Sequence, residues 1–482
     1  MTGLVFAMLI ACFDGTIVGT CGPVIAADLN GLGLYSWMIT AYMLCETVMI
    51  PIAGKLSDQF GRKPLFLIGL GLFVSGSVVA GLSTNMEMFI ACRAIQGVGG
   101  GILVPVATAA VADLYPPEDR GKMQGILGAV FGIGSGIGPL IGGYITEYIS
   151  WHWIFYINIP LAAIALILTV RKFPTPVTSS RPSIDYLGIS FLTAFLLDIL
   201  LFFEWAGSKF DWVSVQSFAM VITAVVLLVA FVFAERRAIE PVIAPHLIHN
   251  KTVVMSSIFM FLFGIAMMGA LIYTSMFAIS VLGLSTLESG TYILAMVFGM
   301  MITANISGQT VNRTGYRFWL IVGPIVTAIG LFMLSQMTIG TELWYYAVCL
   351  FVFGLGLGCM MAVLMTAVQN SSTESEMGMT TSTVNVLKSI GSTIGTAIFS
   401  FVINNKLSSE LMERLPEDVY NNIPHNTEII GLLPYMTPEN AYNALLSFAN
   451  SVDFSFACAG ILMLSLVIIG AIFKAETPKN ED

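Results

Sequence analysis

The sequence predicts an all-α membrane protein with fourteen spanning helices, and three observations carry that prediction. Apolar runs of about 20 residues, the length that crosses a hydrocarbon layer of about 30 Å, recur along the whole chain. Charged residues are scarce: hydrophobic residues make up 56% of the 482 positions and charged residues 10%, with a mean hydropathy of +0.86. A soluble domain carries roughly 25% charged residues. Basic residues, finally, gather between runs on one side. No soluble core could hide this much apolar surface, so the solvent is lipid.

In chain order the runs lie at 3–27, 35–57, 63–84, 86–111, 121–146, 151–171, 186–206, 214–235, 252–282, 286–311, 317–338, 342–368, 378–403 and 451–473. The first lacks a basic leader and a small-residue cleavage site and contains Asp14, so it reads as a spanning helix rather than a removable signal. With the amino terminus inside, the inner side collects Lys55, Arg62, Lys63, Arg120, Lys122, Arg171, Lys172, Arg181, Arg236, Arg237, Lys251, Arg313, Arg317, Lys474 and Lys479, and the outer side Lys209, Lys406 and Arg414. The positive-inside rule therefore puts both termini in the cytoplasm. The segment from Asn404 to Asn450 is polar and acidic, carries Pro416, Pro424, Pro434 and Pro438, and is expected to be an outer loop with a short surface helix. Seven scattered cysteines without a CxxC pair suggest neither a disulfide framework nor a metal site.

An internal repeat organises the spans. Between the second and third the chain reads Gly54-Lys-Leu-Ser-Asp58-Gln-Phe-Gly61-Arg62-Lys63, and after the tenth it reads Gly308-Gln-Thr-Val-Asn312-Arg-Thr-Gly315-Tyr-Arg317, 254 residues on. A second echo pairs Gly134-Ser-Gly136-Ile-Gly138-Pro139 with Gly391-Ser-Thr-Ile-Gly395-Thr396 at an offset of 257. The expected organisation is a six-helix bundle over 1–172, an inserted helix pair over 183–236, and a second six-helix bundle over 250–475 containing the outer loop 404–450. Parallel repeats of this kind are related by an axis along the membrane normal and rock to alternate access.

At this point the residues resemble a known family. The loop GKLSDQFGRK is similar to the signature loop of the major facilitator superfamily. Arg93-Ala-Ile-Gln96-Gly97 resembles its RxxQG segment, and Gly134 to Gly143, GSGIGPLIGG, resembles the GxxxGPxxGG signature of its antiporters. Asp14-Gly-Thr-Ile-Val18 resembles the D-x-T-I-V segment of the fourteen-helix drug:proton antiporter branch. The carboxyl half matches less well, with Asn312 where the repeat loop would carry Asp. The resemblance implies a proton-coupled antiporter at the plasma membrane that exports amphiphilic, cationic small molecules, with protons and lipid as its other partners. It implies that Asp58, Arg62 and Asp113 latch the outward-open state, with Gly54 and Gly61 permitting the turn, and that Gly134, Gly138, Pro139, Gly142 and Gly143 seal the halves.

The residues themselves support a narrower reading. An ionisable side chain in lipid needs a partner, a wet cavity or a function. Asp14 and Glu46 sit at similar depth in the first two spans and are expected to carry the proton, with Arg93 stabilising an ionised neighbour; each could instead be held by packing alone. Asp198 and Lys388 are secondary candidates, the lysine snorkelling or pairing with a carboxylate in the cavity. Glu204 is expected to be an interfacial side chain with no role in transport. Met267, Tyr273, Met276 and Phe277 could line a deformable pocket, although such residues more often face lipid or other helices. No Walker loop, dinucleotide fingerprint or catalytic serine constellation appears, so neither an enzyme nor a cofactor is expected, and no nucleic acid partner. A lipid or other endogenous amphiphile is the competing cargo, and a non-transporting membrane sensor the competing class.

Overall fold

The computed structural model describes residues 1–31, 34–172, 184–206, 209–243, 247, 249–373, 376–421 and 436–473. Arg181, Lys474, Lys479 and the side chain of Lys172 lie outside the described residues, as do the side chain of Pro139 and the segment 422–435 with Pro424 and Pro434. Within them the chain is helical: α1 Thr2–Asp28, α2 Tyr35–Phe60, α3 Arg62–Ala80, α4 Met86–Leu114, α5 Pro117–Tyr148, α6 His152–Tyr156, α7 Asn158–Lys172, α8 Tyr186–Trp205, α9 Val215–Glu235, α10 Lys251–Ser280, α11 Thr286–Thr314, α12 Tyr316–Leu334, α13 Leu343–Asn370, α14 Met377–Arg414, α15 Glu417–Asn421 and α16 Pro438–Ile472. Among the described residues, thirteen helical segments are long and apolar enough to cross a membrane. The 27 residues of α1 add a fourteenth, since at about 1.5 Å per residue they rise roughly 40 Å.

Local chemistry sets the ends. Asn85, Asp185, Ser214, Asn250 and Thr437 each accept a backbone N–H at the start of the helix that follows, and Ser285 and Glu288 form a capping box at the start of α11. The turns joining α2 to α3 and α11 to α12 pivot on Gly61 (φ 89°) and Gly315 (φ 80°), left-handed positions that favour glycine and that fall at matching places in the two repeat loops. The sixth span divides into α6 and α7 because Pro160 has no N–H to return to the Tyr156 carbonyl.

The outer segment is a correction to the sequence reading. Residues 404–414 and 438–450 are not loop but continuations of α14 and α16 beyond the apolar runs. Glu410 holds them together: it bonds Lys406 and Arg414 on its own helix and accepts from Asn450 of α16 at 3.1 Å. Helices outlast their apolar stretch wherever such pairing satisfies their polar faces.

The buried apolar clusters divide by half. One large cluster runs from Leu247 to Phe473, and three others stay between Leu4 and Ala165. The halves meet along α2 against α14 and α5 against α11. The inserted pair α8–α9 rides on the first of these seams, where Leu192 and Leu196 of α8 join Ile50 of α2 and Val386 of α14.

Candidate functional site

Asp14 and Arg93 form an ion pair in the interior of the first half, each 1% exposed. Gln96, one turn along α4 from Arg93, donates to Asp14 Oδ1 at 3.1 Å and accepts from Arg93 at 3.0 Å. Asn158 donates to the same oxygen at 3.3 Å and to Ser77 at 3.0 Å. The helix break before Asn158 is what brings its amide into the core. Arg93 also donates to the Met38 carbonyl and lies 4.3 Å over the Tyr42 ring. Two buried charges compensate only when hydrogen bonds serve their remaining lone pairs and protons; here Gln96, Asn158 and the Met38 carbonyl do so, and the Tyr42 ring adds a cation–π contact.

Glu46 is half-buried on α2, within electrostatic reach of Lys388, Arg93 and Asp14. Lys388 lies 4.9 Å over the Phe131 ring and lines a cavity between the halves with Gln124, Asn385, Met361 and Met365. Met267 and Phe277 instead pack in the core of the second half, and Tyr273 stacks on Phe399 at 6.1 Å. Glu204 accepts from Thr40 of α2 at 2.9 Å, tying α8 to the first half. Asp198 on α8 has one buried oxygen without a hydrogen bond among the described residues.

A network of polar contacts joins the two halves at one end of the molecule. Arg62 bonds Asp58 at 2.5 Å, Asp113 at 2.9 Å and Ser57 at 2.5 Å. Asp58 in turn accepts from the N–H groups of Gly378 (2.8 Å) and Met379 (2.7 Å) at the start of α14 in the other half. A carboxylate on a helix N-terminus is doubly favoured, by the free N–H groups and by the macrodipole. Gly54 lies so close to Gly378 and Ser382 that a Cβ would not fit. Across the other seam, Arg120 of α5 donates to the Gln369 carbonyl and the Asn370 side chain of α13. Gln369 donates to the Thr108 carbonyl of α4, and Asn312 of α11 to the Glu118 carbonyl of α5.

The glycines of α5 form two faces. Gly134, Gly138 and Gly142 pack on Cys12, Thr16 and Ile17 of α1, within their own half. The glycines that meet the other half are Gly121, Gly125, Gly132 and Gly136, against α11, with Gly128 near Ala304 and Gly143 near Leu287. Within GSGIGPLIGG, Gly134, Gly138 and Gly142 thus seat the helix that carries Asp14, whereas Gly136 and Gly143, with Gly121, Gly125, Gly128 and Gly132 outside the motif, face the other half. Gln96 stood in a quoted motif without a role. Ser57 stood in the quoted loop without a role, five residues from Arg62; Asn158 and Gly378 carried no local signal, because their partners lie 81 to 324 residues away.

Paired helical halves meeting along two seams, with their polar contacts gathered at one end, are the architecture of a multi-pass membrane transporter. The family model of the Major Facilitator Superfamily matches residues 4–396, and the chain belongs to that superfamily. It is 35% identical over 415 residues to the multidrug transporter protein MdtP of Bacillus subtilis (strain 168), covering 86% of this chain and 77% of that one. It is 36% identical over 409 residues to multidrug resistance protein 3 of the same organism, covering 85% and 80%. Among solved structures it is similar to the proton:xylose symporter XylE, with a TM-score of 0.66, 14% identity and coverage of 98% and 96%, a likeness of fold.

Proposed function

We propose that this transporter is a proton-coupled antiporter of the plasma membrane that exports amphiphilic small molecules, with the Arg62 end and both termini in the cytoplasm and the latch holding an outward-facing state. The domain limits are those of the repeat, 1–172, 183–236 and 250–475. The observation that carries the reading is the buried Asp14–Arg93 pair: a carboxylate deep in a spanning helix whose single strong partner cannot lose its own proton. Protonation of Asp14 dissolves the ion pair, frees Arg93, and lets α1 shift on the glycine face of α5. Release of that proton on the other side restores the pair. Cationic cargo would be held by Glu46, the partly buried carboxyl on α2. The names of the two Bacillus relatives favour drugs over an endogenous lipid as cargo.

The test is ethidium efflux from proteoliposomes without ATP, with an imposed pH gradient and with that gradient collapsed. Efflux that follows the gradient supports the reading. Efflux indifferent to it, or absent for ethidium and for a quaternary ammonium alike, overturns it.

A further inference from the structure

We propose that Lys388 selects cargo by charge: its ammonium binds the acidic group of an amphiphile in the cavity between the halves, so that the substrate class includes carboxylates and zwitterions and not cations alone. The proposal rests on the export reading and extends its substrate class to acids.

The cavity lies between Thr108, Gln124 and Phe131 of the first half and Met361, Met365 and Lys388 of the second, above the latch. A lysine in such a place is costly unless something answers its charge. The interior arginine is already answered, Arg93 by Asp14. Lys388 has the face of Phe131, a partial compensation. Among the described residues no carboxylate lies within 4.0 Å of its nitrogen and none lines the cavity; Glu46 on α2 and Cys12 on α1 are the titratable groups in electrostatic reach.

The neutral polar side chains of the wall turn their donors into the wall itself. Gln124 donates to the Thr108 carbonyl at 3.0 Å, Thr108 to the Val104 carbonyl at 2.8 Å, and Asn385 to the Thr381 carbonyl at 3.2 Å. Each amide keeps a second, neutral N–H, and among the described residues of the wall the ammonium is the charged donor open to an occupant. A cationic group entering here meets like charge. An acidic group meets charge-assisted hydrogen bonds, the stronger kind.

In this conformation the cavity has room for about one water molecule, the scale of an acidic headgroup rather than of a whole drug. The body of the ligand would enter as the halves part, against methionines that adapt their shape. A zwitterion would place its acid on Lys388 and its cation toward Glu46.

The experiment measures equilibrium binding to the full chain in lipid nanodiscs, without a gradient, by intrinsic fluorescence. Three probes share one apolar body: 3-(1-naphthyl)alanine, its amide, which is a cation, and its N-acetyl derivative, which is an anion. The two acid-bearing probes are expected to bind wild type about tenfold more tightly than the amide, the ratio set by one hydrogen-bonded charge. Lys388→Met should remove that advantage and leave the amide unchanged or tighter, and Lys388→Arg should keep it. The proposal is overturned if wild type prefers the amide, if Lys388→Met leaves acid binding unchanged, or if it weakens all three probes alike. Should Lys388→Met not yield folded protein, Lys388→Gln and the wild-type rank order decide. Intact efflux with no acid preference sinks this inference alone, whereas an acid preference without gradient-driven efflux sinks the export reading and leaves Lys388 as an acid-binding site without a transport role.

Discussion

Removing one member of the Asp14–Arg93 pair leaves the other charge where almost no water reaches it. Arg93→Gln, which strands the Asp14 carboxylate, should cost about 3–5 kcal/mol in unfolding experiments, and adding Asp14→Asn to it should recover much of that loss. Strict additivity of the two changes in matched thermal or denaturant melts would mean that the pair contributes no coupling. Asp14→Asn alone keeps the shape and abolishes titration, so gradient-driven efflux should fall to background at matched expression while the protein still inserts. Full coupled efflux by Asp14→Asn would move the proton to Glu46. The sequence showed that Asp14 and Arg93 were deep and charged, since hydropathy and position in a run give depth. It did not show that they touch, because a contact across 79 residues depends on how α1 and α4 pack, and no local pattern encodes that.

At the scale of elements, the two faces of α5 separate functions that the signature GSGIGPLIGG runs together. A side chain at 138 would run into Thr16 of α1, two residues from Asp14, whereas a side chain at 136 would run into Val297 and Leu294 across the seam. Gly138→Leu should therefore impair proton coupling with little change in the spacing of the halves, and Gly136→Leu should wedge the halves apart. Proton flux into liposomes and spin-label distances across α5 and α11 separate the two. The assignment of faces fails if both variants move both readouts equally. Helix existence was legible throughout from apolar length; the ends of α14 and α16 were not, because ion pairing around Glu410 rather than hydropathy extends them.

The linker after α9 is a second element with a testable charge. Glu240 accepts from Gln59 at 2.5 Å and pairs with Lys55 at 3.3 Å, while Glu235 accepts from the N–H groups of Val242 and Ile243. The inserted pair is thereby fastened to α2 beside Asp58. The Gln59 hydrogen bond, with the Lys55 ammonium next, holds the Glu240 carboxyl below its usual 4.5. A lowered folded value means that this contribution is present above pH 4.5 and is lost as pH falls through the lower value. Glu240→Gln should reduce the hydrogen-exchange protection of Val242 and Ile243 at pH 7 by up to roughly fivefold, as befits a partly exposed pair. The difference should vanish in strong acid. Equal protection of variant and wild type at pH 7 would show the clasp to be idle.

Over the whole molecule the repeat becomes a rule for contacts. Gly54 meets Gly378 across one seam, and their repeat equivalents Gly308 and Gly121 meet across the other; likewise Gly134 and Gly138 seat α5 on α1 as Gly391 and Gly395 seat α14 on α10. The symmetry holds for backbone approach and breaks for charge. Where the first half has Arg62 on Asp113, the second has Tyr316 accepting from Asn370 at 3.0 Å. Where Asp58 caps α14, Asn312 donates to the Glu118 carbonyl of α5. The sequence displayed this departure as Asn for Asp, and the fold supplies its reason. The first turn of α5 already carries Glu118 and Asp119, whereas α14 has an acid only at its N-cap, Glu376, and none in its first turn, so a further anion is better tolerated at the start of α14 than at that of α5. Asp58→Asn and Asn312→Asp should then act through opposite causes to the same end. The first withdraws the anion from α14 and the second adds like charge beside α5, and each should weaken the closed end by about 1 kcal/mol. That is roughly a fivefold shift toward opening at this end, read as a longer spin-label distance between residues there. If Asn312→Asp instead tightened the closed end, the neutral member of the pair would owe its neutrality to something other than the acids of α5.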